Sequence, residues 1–206
     1  MTGSADQVPA TAAANGPYRR LIIDAAIEAT ASSGWSSVTM TGLAEAVGVS
    51  RQTVYNEVGS KPALGEAMVM QELGRFLDPV ERAFDRYPTD AGRALRTAVR
   101  DILRLARDDA FLRSVVSASQ GGDAELLPLL TSRARGLREA AASVLGSRLA
   151  TYDLGLTQRR HEALVDLLVR TVLSHVVQPS GTPERTADDL AWVLDRVTSA
   201  GPGANG

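Results

Sequence analysis

Residues 50–61, SRQTVYNEVGSK, hold the chain's densest set of side chains suited to reading hydrogen-bonding edges. Arg51 can donate two bonds to a guanine edge, and Gln52 or Asn56 can pair with adenine in the same two-bonded way. Ser50, Thr53 and Tyr55 carry hydroxyls, and Lys61 an ammonium, that suit phosphate oxygens; Thr41 offers another hydroxyl from the preceding segment. Lys61 is the one lysine among 22 basic residues. This chemistry assigns base contacts to Arg51, Gln52 and Asn56, and backbone contacts to Thr41, Ser50, Thr53, Tyr55 and Lys61. The plainer alternative is an ordinary helical hairpin with a polar outer face.

Two short helices must position this set. Thr39 can cap the first, because its hydroxyl accepts an orphan N–H of the following turn, and Leu43, Ala44 and Val47 form its buried side. Gly48 permits the left-handed conformation that ends a helix and turns the chain. Ser50 can cap the second helix, whose inner face carries Val54 and Val58. Upstream, Leu21, Ile22, Ala25, Ala26 and Ala29 recur at helical spacing until Ser32-Ser33-Gly34, with Trp35 and Val38 bridging inward. Downstream, Lys61-Pro62 opens a long helix bearing Leu64, Met68, Leu73, Phe76, Leu77, Val80 and Phe84, which Pro79 should kink or break. Further helices are predicted at 91–107, 109–119, 124–150, 157–177 and 183–198. No strand-like alternation and no repeat occurs, so the fold class is all-α. The small, polar arm 1–17 and the tail 199–206 are expected to be disordered.

The remaining composition narrows the function classes. Without cysteine there is no disulfide or thiolate metal site, and His161 and His175 match no metal-ligand spacing. No Gly-rich phosphate loop or nucleophile elbow is present, and His175 has no identifiable partner as a general base. Neither metal, cofactor nor enzyme activity is expected. No signal peptide or long apolar run is found, which points to a cytoplasmic protein without a membrane partner. Net charge is −2. Within residues 16–66, four basic residues stand against five acidic ones. Phosphate attraction must therefore come from where charges sit rather than from their number.

The segment 157–177 carries Leu164, Val165, Leu168, Val172, Leu173, Val176 and Val177, a stripe too broad for a lone surface helix. The last helix adds Leu190, Val193, Leu194 and Val197. Two such helices per subunit can pair with their symmetry mates as a four-helix bundle. That reading gives a homodimer with Leu164, Leu168, Val172, Val176, Leu190, Val193, Leu194 and Val197 at its interface. Alternatively, the same residues close the monomer's own core.

The stretch Arg19–Met68 resembles the DNA-binding domain of the tetracycline-repressor (TetR) family of bacterial regulators. The matching features are Ile23-Asp24-Ala25-Ala26, Gly34, Thr39, Leu43-Ala44, Gly48-Val49-Ser50, Thr53-Val54-Tyr55 and Ser60-Lys61 before Leu64. Met40 and Asn56-Glu57-Val58 depart from the family pattern. The resemblance implies a three-helix helix-turn-helix domain at 18–66, followed at 67–198 by a helical ligand-binding and dimerisation domain. It further implies a repressor that leaves a palindromic double-stranded DNA operator when a small-molecule effector binds. A pocket among the helices from about 91 to 177 is implied, with Phe76, Phe84, Leu105, Phe111, Val115 and His175 as candidate lining residues, although a plain core position is the default reading for each. Few charges interrupt the apolar faces, which points to a largely apolar effector. The competing reading is a helical protein-binding adaptor that keeps the fold without operator binding, favoured by the acidic balance and Glu57.

Overall fold

The structure, a computed structural model, describes residues 16–121 and 127–199, with side chains outside 117–135. Residues 1–15 of the expected arm, 122–126, and 200–206 of the tail lie outside the described residues. The described chain is helical, with no strand: α1 Arg19–Ser33, a 3-10 turn Trp35–Ser37, α2 Met40–Val47, α3 Arg51–Val58, α4 Lys61–Arg86, α5 Ala91–Asp108, α6 Ala110–Gly121, α7 Leu127–Leu149, α8 Gln158–Val177 and α9 Pro183–Ser199. None of these helices is long and apolar enough to cross a membrane.

Local chemistry sets the helix starts. The hydroxyls of Thr39, Ser50 and Ser60 accept the backbone N–H groups of Gly42, Thr53 and Ala63 at 3.0, 3.0 and 3.3 Å. Asp90 does the same for Arg93 at 2.8 Å. Each such cap contributes about 1 kcal/mol by filling a donor that has no partner within the helix. Gly48, at φ 75°, ends α2 in the left-handed region that a Cβ would strain.

Of the expected kink or break at Pro79, the break does not occur: α4 is one helix and continues to Arg86. Proline removes one hydrogen bond to the carbonyl four residues back. Here Pro79 and, after it, Val80, Ala83 and Phe84 are buried, and their packing offsets that loss.

Two apolar cores share α4. The first gathers Ile22, Ala26, Trp35, Val38, Leu43, Val54, Val58, Leu64 and Met68, together with Phe111 and Val115 from α6. The second is built by the latter half of α4 with α5, α7, α8 and α9, around Leu95, Val99, Leu149, Leu168 and Leu194. The first core therefore extends past residue 66 in two places: Met68 on α4 and the start of α6.

Candidate nucleic-acid interface and ligand cavity

Helix α3 buries Val54 and Val58 and turns its other side outward. Arg51, Gln52, Tyr55 and Asn56 are exposed, Thr53 is half-buried, and Thr41 and Ser50 are exposed beside them. The exposed side chains are ordered by one-turn pairs. Arg51 Nη2 donates to the Tyr55 hydroxyl at 3.3 Å, with its guanidinium carbon 5.4 Å from the ring centroid. Gln52 Nε2 donates to Asn56 Oδ1 at 3.0 Å. Residues four apart on a helix meet in this way. Three predicted base-contact residues thus share one exposed face of α3, with Tyr55 between Arg51 and Gln52 on the same face.

Lys61 sits at the start of α4 with Nζ 4.9 Å from the Trp35 ring centroid, a cation–π distance that orients the ammonium over the 3-10 turn. Glu57 lies elsewhere on α3. It is half-buried, and its carboxylate lies so close to Gly16 that any Cβ there would collide with it. Arg19 donates to the Glu57 backbone carbonyl. Met40 is buried in the first core.

An apolar cavity of 190 Å³ lies between the cores. Of the six predicted lining residues, Phe76, Phe111 and Val115 face it. The other three do not line it, which corrects the expectation. Phe84 is buried edge-on against Tyr152, with ring centroids 5.8 Å apart. Leu105 is half-buried away from the cavity. His175 is occupied locally: Nδ1 donates to the Thr171 carbonyl at 2.9 Å and Nε2 pairs with the Ser180 hydroxyl at 3.0 Å. Sequence reading missed Leu73, Leu77, Ile102, Leu137 and Leu145 in the wall, and it missed Glu72. The signal for Glu72 was its spacing, four residues after Met68 and four before Phe76 on the inward side of α4.

Glu72 is joined to Arg75 at 2.7 Å, and Arg75 to Asp109 at 3.2 Å. Burial pushes the Glu72 carboxyl above the usual carboxylate range, against the downward pull of the Arg75 hydrogen bond. Asp109 also caps α6, accepting from Leu112 N at 2.7 Å. The cavity wall, the cap of α6 and α4 are therefore linked by one ion-paired chain.

The predicted dimer face requires correction. Leu164, Leu168, Leu190 and Leu194 are buried in the monomer's second core, and Val172 and Val176 are half-buried in the cavity wall. Only Val193 and Val197 of the eight are exposed. The outer side of α8 and α9 instead shows Leu167, Val177 and Trp192, with Trp192 60% exposed, whereas the partly exposed Leu173 lines the cavity.

A polar helix presented on a compact three-helix unit, joined through α4 and α6 to a helical body with an apolar cavity, defines a helix-turn-helix regulator. Family comparison agrees. Residues 22–68 match the bacterial regulatory proteins of the tetR family, and residues 90–196 match the bacterial tetracyclin repressor C-terminal domain. The chain belongs to the TetR family and is a ligand-responsive, DNA-binding transcriptional regulator. It is 26% identical over 188 residues to the HTH-type transcriptional regulator AlkX of Mycobacterium tuberculosis, spanning 91% of this chain and 88% of that protein. It also resembles the crystal structure of the TetR family repressor AlkX from Dietzia sp. strain DQ12-45-1b, described as implicated in biodegradation of n-alkanes. That match has 26% identity, a TM-score of 0.71, and coverage of 91% of this chain and 98% of the other. Thermus thermophilus FadR, solved with lauroyl-CoA, shares the fold at 22% identity and a TM-score of 0.54, over 91% and 96% of the two chains.

Proposed function

We propose that this protein is a homodimeric cytoplasmic repressor that leaves a palindromic operator when an apolar, chain-like molecule occupies the cavity. The observation that carries this reading is that Phe111 and Val115 belong at once to the cavity wall and to the first core. A ligand that displaces α6 must disturb the packing of α1, on which α6 lies, and hence the seat of α3. The ligand favours release only through tighter binding to the displaced state.

In this reading residues 18–66 read DNA and residues 67–198 bind ligand and dimerise, with α4 and α6 spanning the boundary. Arg51, Gln52 and Asn56 contact bases; Thr41, Ser50, Thr53, Tyr55 and Lys61 contact the backbone. The exposed Leu167, Trp192, Val193 and Val197 make the dimer face, which sets the two α3 helices about 34–36 Å apart for successive major grooves. An apolar wall supports an apolar effector, and the similarity to a repressor implicated in n-alkane biodegradation supports the same class.

Selection of bound sequences from a random DNA pool tests the reading, expected to yield an inverted repeat whose half-sites lie about one helical turn apart or a multiple of it. No enrichment over a non-specific background would favour the protein-binding adaptor instead.

A further inference from the structure

Glu72 is the one ionisable residue among the described side chains of the cavity wall. It also lines a polar cleft between α1 and α4, where Arg20, Asp24, Glu28, Gln71 and Arg75 meet. It is 5% exposed. A buried carboxyl among leucine, valine and phenylalanine is unfavourable unless it is fully satisfied, and a methionine of similar shape would fill this slot at lower cost. Apolar packing gives no reason for its presence; the ion pair with Arg75, which also holds the Asp109 cap of α6, gives a structural one, and its place in the cavity wall allows a second.

Arg75 donates to Oε2 at 2.7 Å. No buried side-chain oxygen among the described residues lacks a partner, so the carboxyl's remaining acceptor capacity lies on its small exposed surface, toward the cavity and the cleft that it lines. The surroundings are acidic. Around the cleft and Arg75, two cations (Arg20 and Arg75) face four carboxylates (Asp24, Glu28, Glu72 and Asp109). Such a field opposes an anionic head group. It accepts a neutral group that carries a hydrogen to donate.

We propose that Glu72 reads the polar end of the effector: the cavity takes a chain-like amphiphile whose head group donates a hydrogen bond to Glu72, with a primary alcohol as the matching class, and it discriminates against the corresponding carboxylate. This inference rests on the cavity being the effector site. The chain lies against Phe76, Phe111 and Val115, and the hydroxyl sits at the wall that separates the cavity from the α1–α4 cleft. The residue that recognises the head group is then the residue that anchors Arg75 and, through it, the Asp109 cap of α6.

Calorimetric titration of the full-length protein with 1-decanol, 1-methoxydecane and decanoate tests this. The ether keeps the chain and oxygen of the alcohol but cannot donate. The alcohol should bind at least about tenfold more tightly than either of the others, as a hydrogen bond to a charged or strongly polarised acceptor warrants. In Glu72→Met the ether should bind as before and the advantage of the alcohol should vanish. Equal affinity of alcohol and ether for the wild type, tighter binding of decanoate, or an alcohol advantage that survives in Glu72→Met would overturn the assignment. If Glu72→Met fails to fold, the three wild-type affinities decide alone. If ether and alcohol bind equally well, the cavity remains the effector site and only the head-group role falls. If none of the three binds, the chain-like effector is wrong and the head-group role goes with it.

Discussion

Ser114 donates from Oγ to the backbone carbonyl of Thr30 at 3.0 Å, tying α6 to the buried C-terminal half of α1. The same carbonyl accepts the Gly34 N–H at 3.0 Å, so this point holds α6, α1 and the turn after α1 together. Phe111 and Val115 flank Ser114 on α6 and reach from the cavity into the first core. The Ser114–Thr30 bond is thus the polar counterpart of that apolar coupling.

Ser114→Ala should lower stability by about 0.5–1.5 kcal/mol, the net value of a partly buried hydrogen bond. It should also weaken the ability of ligand to release operator, because α6 is less firmly held to α1. Urea denaturation and ligand-dependent operator titration measure the two effects separately. A lower stability with an unchanged release curve would remove this bond from the coupling.

Arg51→Ala should relax base preference and cost about 1–3 kcal/mol on the selected sequence, if Arg51 pairs with guanine. The one-turn bond to Tyr55 means that Tyr55→Phe should show a smaller loss of the same kind. Binding measured on matched and mismatched duplexes distinguishes this from a backbone role, which would reduce all affinities equally.

Lys61→Ala should weaken all duplexes alike and flatten the dependence of log affinity on log salt by about one unit. The ammonium lies over Trp35, so a stability loss of about 0.5–1 kcal/mol should accompany the change. An unaltered salt slope would exclude a phosphate contact.

Trp192→Glu should dissociate the dimer with little effect on the monomer's fold, because Trp192 stands on the outer side of α9. Leu194→Ala should do the opposite, costing about 2–5 kcal/mol through a core cavity. Sedimentation velocity and denaturation on both variants read the contrast. A Trp192→Glu protein that sediments as the wild type would place the interface elsewhere.

Glu72 gives a signed pH prediction. Burial first, then the nearby Asp109 and Asp24, raise its folded pKa above the ordinary 4.5, while Arg75 opposes them. The folded state therefore binds this proton more tightly than the unfolded chain does. The stability it contributes is present below 4.5 and is lost as pH rises through the folded value. Glu72→Gln removes that slope, so the variant's stability relative to the wild type should increase from acid to neutral pH. A difference that stays flat across that range would mean the carboxyl is not perturbed.

The short-range features of this protein were legible in its sequence. Thr39, Gly48, Ser50 and Val54 act within one helical turn of their partners, so residue type and spacing alone define α2, the turn and α3, and they put Arg51, Gln52 and Asn56 on one exposed face. Periodicity likewise showed that α8 and α9 are apolar on one side, but it could not say what covers that side. The packing of α5, α8 and α9 turned Leu164, Leu168, Leu190 and Leu194 inward and left Trp192 outside. The same holds along α4. Phe76 and Phe84 are two apolar residues on one helix, yet Tyr152 fills the space at Phe84 while an empty volume remains at Phe76. Voids and buried charges such as Glu72 arise where several helices meet. They depend on the summed shape of side chains distant in sequence, which only the tertiary structure brings together.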